Sequence, residues 1–316
     1  MARISASDSA VGLDMTNIPQ FGGNIEVNSG LIIVTYASHT QEYYGSFSFT
    51  QTEVRGTLSS THYSNSLTGL KYSATDFTFD ANLAASYIVT ENAQLLIASV
   101  MEGSDQVIGS SSGDILLGFE GNDQITGGLG NDVIAGGTGT DLAVFNRQHA
   151  EVNIVRTNDG MTVGLKSSNG DTDALFEVER LRFTDKDIAF DGTAAAAYRL
   201  YQAAFDRKPD TVGLGYWIAQ CDKGLSLYDA AWNFINSAEF ARLYGTNISN
   251  GAFITALYDN VLHRAPDQSG FNYWNEMLST GKVSRHAMLA EFSESPENQA
   301  QVIGSIQSGV EYTPFG

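Results

Sequence analysis

The sequence has little that would fasten it covalently or carry it through a bilayer. It holds one cysteine, Cys221, in 316 residues, so an intramolecular disulfide is excluded. That thiol reads as a small buried hydrophobe of a helix, with pairing between chains as the alternative. No run of about 18 apolar residues occurs, which excludes a transmembrane helix. The opening stretch MARISASDSAVGLDM lacks the apolar core of a cleaved signal peptide, so export would need another route. Basic residues are scarce: 17 Lys and Arg stand against 36 Asp and Glu, for a formal net charge of -19. Such acidity disfavours nucleic acid and anionic membranes as partners. The five histidines, His39, His62, His149, His263 and His286, are scattered without metal-ligand spacing. There is no G-x-S-x-G elbow, no H-E-x-x-H helix, no P-loop and no dinucleotide fingerprint. The chain is therefore read as not an enzyme, a glycan-acting carboxylate pair being the distant alternative.

What is present is an acidic repeat. From Glu102 the chain divides into EGSDQVIGS, SSGDILLGF, EGNDQITGG, LGNDVIAGG and TGTDLAVFN. Asp105, Asp114, Asp123, Asp132 and Asp141 recur every nine residues, each followed two places on by Val107, Leu116, Ile125, Ile134 or Ala143. A nonapeptide suits a tight loop and a very short strand, one half-turn of a flattened coil in which the apolar residues stack inward. Glycine admits positive φ and close approach of carbonyl oxygens. Aspartate supplies the hard oxygen ligands that Ca²⁺ prefers. Alternate loops share an edge of the coil. The expected calcium pairs are thus Asp105 with Asp123, Asp114 with Asp132, and Asp123 with Asp141. Gly103, Gly121, Asn122, Gly130, Asn131 and Gly139 are the accompanying loop residues. Ser112, Ser110 and Phe119 break the glycine pattern in the first copies, which predicts weaker or absent sites there.

This block resembles the repeats-in-toxin (RTX) calcium-binding nonapeptide family. The resemblance implies a right-handed parallel β-roll that folds in extracellular calcium. It also implies type I secretion through a one-step channel that reads an uncleaved C-terminal signal. Residues 142–191 alternate apolar and polar, with Phe176, Val178, Leu181, Phe183 and Ile188 as core candidates, and are expected to cap the roll's open strand edges. Glu179, Leu181, Phe183 and Asp185 match an E-x-L-x-F-x-D flank common beside such repeats. Asp171, Asp173 and Asp185 are either further calcium ligands or solvated turn residues.

Residues 1–100 read as a β domain of unidentified family. GLIIVTY, YYGSFSFTQTEV, DFTFD and AQLLIASV are its expected strands. Tyr36, Tyr43, Tyr44, Tyr63 and Tyr72 are strand-forming residues, or alternatively an aromatic platform for sugars.

After Asp191 helical spacing takes over. LYQAAFDRKPDTVGLGYW returns 57 residues later as LYDNVLHRAPDQSGFNYW. Each unit is expected to run helix, P-D-x-x-G turn, helix, then a longer helix ending near an S-x-E element. Pro209 and Pro266 end or bend the chain. Asp210 and Asp267 cap the next helix, metal ligation being the alternative. Trp217 and Trp274 anchor the two cores. The R-x-P-D-x-x-G-x-x-Y-W core resembles the domain of unknown function DUF4214, which implies a bacterial extracellular setting and little about mechanism.

The expected architecture is thus multidomain: a β-rich domain over 1–100, a calcium-binding parallel β-roll with β cap over 101–191, and an all-α domain with a two-fold internal repeat over 192–316. The expected function is a secreted, calcium-dependent structural or adhesive protein of the cell surface or extracellular matrix, self-assembling into a layer or filament. The alternative is a module that binds polysaccharide or other cell-surface proteins.

Overall fold

A computed structural model describes residues 2–6, 24–27, 31–35, 39–49, 54–66, 71–89, 92–167 and 170–315. The chain forms two compact units, Met1–Asp185 and Lys186–Gly316.

In the first unit the nonapeptides give short strands: β8 (Gln106–Ile108), β9 (Ile115–Glu120), β10 (Gln124–Thr126), β11 (Val133–Thr138) and β12 (Leu142–Val144). They alternate between two parallel sheets, β8–β10–β12 on one face and β9–β11 on the other. With one nonapeptide per face, residues 18 apart stack. The apolar residue two places after each aspartate points inward. Val107, Leu116, Ile125, Ile134 and Ala143 are all essentially inaccessible.

The roll recruits strands from both flanks. At one end β1 (Arg3–Ala6) pairs parallel with β8, placing Ile4 opposite Val107. Four residues from the start of the chain thus stand where a further repeat would. β1 continues antiparallel into β6 (Lys71–Thr75), then β5 (Val54–Asn65), β4 (His39–Phe49), β3 (Leu31–Thr35) and β2 (Asn24–Val27). At the other end β15 (Thr172–Phe176) pairs parallel with β11, and β16 (Arg180–Arg182) with β12. β13 (Val152–Arg156) and β14 (Met161–Leu165) add antiparallel to β15. Leu175 faces Ile134 and Leu181 faces Ala143, so both inward columns run on into the cap. Val178 and Phe183 are buried as expected, whereas Phe176 is 41% exposed on the outer face of β15.

Ile125 lies mid-column with no exposed surface. Ile125→Ala is expected to cost about 2–5 kcal/mol, read as a lowered melting temperature of the calcium-saturated protein.

The N-terminal region corrects two expected strands. AQLLIASV is helix α2 (Ala93–Val100), following α1 (Ala81–Val89). Of DFTFD only β7 (Phe79–Asp80) is strand. Asn92 accepts a hydrogen bond from the Leu95 amide at 3.2 Å, and Asp80 from the Leu83 amide at 2.8 Å. These caps start two short helices, and Ala81, Ala84 and Leu96 bury against Tyr43, Phe47 and Leu58. A short apolar run does not by itself distinguish strand from helix. Tyr36 lies outside the described residues. Tyr43, Tyr63 and Tyr72 are buried, with Tyr63 stacked on Tyr72 at 4.8 Å.

The second unit pairs β17 (Asp187–Ala189) with β18 (Val310–Tyr312) and holds eight helices in two quartets. The first is α3 (Gly192–Phe205), α4 (Thr211–Asp222), α5 (Leu227–Ile235) and α6 (Ala238–Tyr244). The second is α7 (Asn250–Val261), α8 (Gln268–Ser279), α9 (Arg285–Ser293) and α10 (Pro296–Ile306). The single longer helix expected in each repeat is two helices. Ser237 and Ser295 of the S-x-E element cap α6 and α10, so that element opens a helix rather than closing one. Cys221 sits half-buried on α4.

Candidate metal centre

Each loop between the two roll sheets carries one aspartate at its end. Asp105, Asp123 and Asp141 precede strands of one sheet and share one edge; Asp114 and Asp132 share the other. All five are at most 1–2% exposed. One carboxylate oxygen of Asp123, Asp132 and Asp141 accepts from the stacked loop below. The Asp105 amide donates to Asp123 Oδ1 at 2.8 Å, the Asp123 amide to Asp141 Oδ1 at 2.8 Å, and the Asp114 amide to Asp132 Oδ1 at 2.9 Å. Asp105 Oδ1 accepts from the Ala2 amide. The structure thus makes hydrogen-bonded neighbours of all three aspartate pairs expected from the spacing.

The second oxygen has a different environment. Oδ2 of Asp123, Asp132 and Asp141 is buried with no hydrogen-bond donor. Next to it run backbone carbonyls. A methyl group placed on Gly118 would meet Gly136 O at 2.3 Å and Asp123 Oδ2 at 2.4 Å; on Gly136 it would meet Glu177 O at 2.1 Å and Asp141 Oδ2 at 2.5 Å. Acceptor oxygens therefore converge where only glycine leaves room. Desolvation by burial lifts the Asp123 and Asp132 carboxyls to about 7 and the Asp141 carboxyl to about 6, and raises Asp105 as well. Backbone amides pull the other way, and neighbouring carboxylates along each edge add to the rise. A buried, uncompensated carboxylate facing carbonyl oxygens is stabilised by a hard cation.

Among the described residues no three Asp, Glu, His or Cys side chains converge as a metal cluster. A calcium ion needs about six to eight oxygens, so backbone carbonyls must supply most of the shell. Gly103, Gly121, Gly130 and Gly139 take φ between 102° and 140°, the region that favours glycine. Asn122 and Asn131 lock adjacent loops: Asn122 Oδ1 accepts from the Thr140 amide and Asn131 Oδ1 from the Thr172 amide, both at 2.8 Å. Phe119 takes φ 75° at a position where later copies have glycine, a strained conformation for a bulky residue.

Asp114 differs from the others. Its Oδ2 accepts from the Ser110 amide at 2.7 Å and the Ser110 hydroxyl at 3.0 Å. The serine in place of the second glycine thus satisfies internally the oxygen that its counterparts leave open.

The cap supplies two carboxylates that continue the ladder. Asp173 Oδ1 accepts from the Asp132 amide and Glu179 Oε2 from the Asp141 amide, each at 2.9 Å. Sequence periodicity passed over them as repeat members because they are separated by six residues and one is glutamate. The signal was there in another form: Asp173 and Glu179 each stand two places before a buried leucine, Leu175 and Leu181. Asp171 lies 3.7 Å from the Arg147 guanidinium, and Asp185 Oδ1 accepts from the His149 amide at 2.8 Å.

In the helical unit, Asp210 and Asp267 cap α4 and α8 by accepting from the Gly213 and Gly270 amides at 2.7 and 2.9 Å. Pro209 and Pro266 precede these caps. Arg207 binds Glu239 through Nε at 2.8 Å, and Arg264 binds Glu297 at 2.7 Å. Each arginine also lies over the ring of Tyr201 or Tyr258. The repeated motif is therefore a twice-built clamp joining three helices of each quartet. Gly270 is required because a methyl there would meet the Tyr258 hydroxyl at 2.3 Å. Trp217 packs edge-on against Phe234 at 4.5 Å and Trp274 against Phe292 at 5.5 Å.

Among the described residues no helix is long and apolar enough to cross a membrane. The RTX calcium-binding nonapeptide repeat profile, four copies long, matches residues 101–134 and 108–143. The profile of the domain of unknown function DUF4214 matches residues 193–240 and 230–302. A search of curated protein sequences finds no match. Among solved structures the chain is similar to the extracellular lipase LipA from Serratia marcescens, with 20% identity and a TM-score of 0.25. That alignment covers 29% of this chain and 16% of the lipase. The chain thus carries RTX calcium-binding nonapeptide repeats within residues 101–143 and a DUF4214 domain within 193–302.

Proposed function

We propose that the chain is a secreted structural or adhesive protein of the bacterial cell surface or extracellular matrix, folded by calcium and self-assembling through its flanking domains. The observation that carries the calcium part is the set of buried Oδ2 atoms of Asp123, Asp132 and Asp141, which lack donors, those of Asp123 and Asp141 converging with backbone carbonyls. Asp105, Asp114, Asp123, Asp132 and Asp141 are the proposed ligands, Asp114 being the weakest because Ser110 already occupies it. Bound calcium supplies the positive charge that the buried carboxylates lack, which couples ion binding to folding of the roll.

A non-catalytic role is supported by how the conspicuous polar residues are used. The Arg, Asp and Glu residues of the helical motif are held in caps and clamps. Assembly is supported by exposed aromatics on the helical unit, where Tyr228, Trp232 and Tyr273 are each about half exposed. A second reading, a polysaccharide-binding module, is favoured by a cavity of about 350 Å³ in the N-terminal sheet whose lining includes Glu42, His62, Tyr63, Lys71 and Tyr72.

Light scattering of the purified chain across protein concentration, with chelator and with millimolar calcium, separates the two. Regular assemblies that form only with calcium are expected. A calcium-bound monomer at every concentration would contradict self-assembly, and saturable binding of a glycan by that monomer would establish the second reading.

A further inference from the structure

We propose that the calcium ladder runs one rung past the nonapeptides, so that the Glu177 carbonyl and the Glu179 carboxylate complete, with Asp141, a calcium position at the junction of roll and cap. This inference rests on the calcium reading above. Neither glutamate lies within the residues matched by the nonapeptide profile.

The geometry repeats from rung to rung. A methyl on Gly118 would meet both Asp123 Oδ2 and the Gly136 carbonyl, and one on Gly136 both Asp141 Oδ2 and the Glu177 carbonyl. Asp141 is wholly buried and its Oδ2 has no donor, so this position has the same unmet need for a cation as the one below. Glu179 stands to Asp141 as Asp141 stands to Asp123, accepting the backbone amide at 2.9 Å against 2.8 Å. The cap reaches this arrangement by a shorter path. Five residue steps separate Gly136 from Asp141 but only two separate Glu177 from Glu179. Glutamate has one methylene more than aspartate, which extends the carboxylate across the distance the shortened loop no longer covers. Glu177 takes φ 50° at the turn, an unusual conformation for a non-glycine residue that turns its carbonyl toward Gly136.

The opposite edge ends differently. There Asp173 takes the last rung beyond Asp132, but the Arg147 cation acts on Asp173 and lies 3.7 Å from Asp171. A fixed positive charge already serves that end. At the other end of the same edge Ser110 satisfies Asp114. The two edges are therefore unequal, and the extension is confined to the one bearing Asp123, Asp141 and Glu179.

Native mass spectrometry of the full chain in calcium, with circular dichroism to verify folding, tests this directly. Glu179→Gln keeps an oxygen to accept from the Asp141 amide and removes only the charge. It is expected to fold in calcium and to bind one ion fewer than the wild type. Glu177→Gly keeps the carbonyl and is expected to bind as many ions as the wild type. A Glu179→Gln protein with an unchanged count and unchanged affinity would overturn the inference while leaving the roll's calcium binding intact. If the glutamine variant does not fold, Glu179→Asp, which keeps the charge but loses reach, is expected to weaken a single site, and unchanged affinity in that variant would equally overturn it. A wild-type chain that binds no calcium would instead refute the proposed function itself.

Discussion

Asp123→Asn is expected to change the stability of the roll in opposite directions with and without calcium. Asp123 Oδ1 accepts the Asp105 amide and its own amide donates to Asp141 Oδ1, so the residue links three stacked loops. Its Oδ2 is buried without a donor beside the Gly136 carbonyl. In chelator at pH 8 the wild-type carboxylate must be ionised in that place, although burial holds its pKa near 7. Asparagine removes the charge and places an amide donor against the carbonyl. The variant is therefore expected to be more stable than the wild type without calcium, by an amount on the order of 2–4 kcal/mol. In millimolar calcium the order reverses, because the variant has lost an ionised ligand and the linkage energy that goes with it. The fraction of roll folded in chelator, read by far-ultraviolet circular dichroism, and denaturant unfolding in millimolar calcium together measure the reversal. Asp123→Ala removes the Oδ1 acceptor as well and should destabilise in both. Equal effects of the asparagine variant with and without calcium would dismiss Asp123 as a ligand.

The calcium-free roll should also be most stable in acid. Its buried aspartates have folded-state pKa values raised above the ordinary carboxylate value, to about 7 for Asp123 and Asp132 and about 6 for Asp141. A group whose folded pKa is raised binds its proton more tightly in the native state, so it favours folding while protonated. That contribution is fully present below about pH 4 and is lost as pH rises from there to about 7. Acidic solution thus substitutes protons for calcium at these sites, apart from whatever other groups contribute at extreme pH. In chelator the β signal of the roll should fall steadily between pH 5 and 8, and millimolar calcium should restore it at pH 8. A calcium-free roll that grows more stable over this range would show that the aspartates are not the dominant titrating groups.

Legibility of this fold in the sequence followed the strictness of its periods. The nine-residue spacing of Asp105 to Asp141 predicted stacked half-turns, and every inward residue from Val107 to Ala143 is buried. The duplication in the helical unit predicted two copies of one helical unit; that Arg207 and Arg264 each clamp a glutamate in an equivalent place is seen only in the structure. What escaped was structure built without the period. β1 is only four residues long, and its place beside β8 depends on the parallel partner that the roll offers. Asp173 and Glu179 entered the ladder after an insertion and across a shortened loop, so neither spacing nor residue type marked them as repeat members. α1 and α2 were hidden because their apolar runs are short, and only Asp80 and Asn92 marked where helices begin. For the candidate site, the stacked pairing of the aspartates was legible from spacing; that Ser110 would close one of them was not, since this depends on the hydroxyl meeting Asp114 across the loop.

The central claim is that ion binding and folding of the roll are one event. The most direct measurement is a calcium titration of the full chain at pH 7.5, with bound calcium followed by equilibrium dialysis and β structure by far-ultraviolet circular dichroism on the same samples. β signal is expected to rise in proportion to calcium bound and to be lost again on chelation. A β signal already complete in chelator at this pH, unchanged as calcium is added, would contradict it.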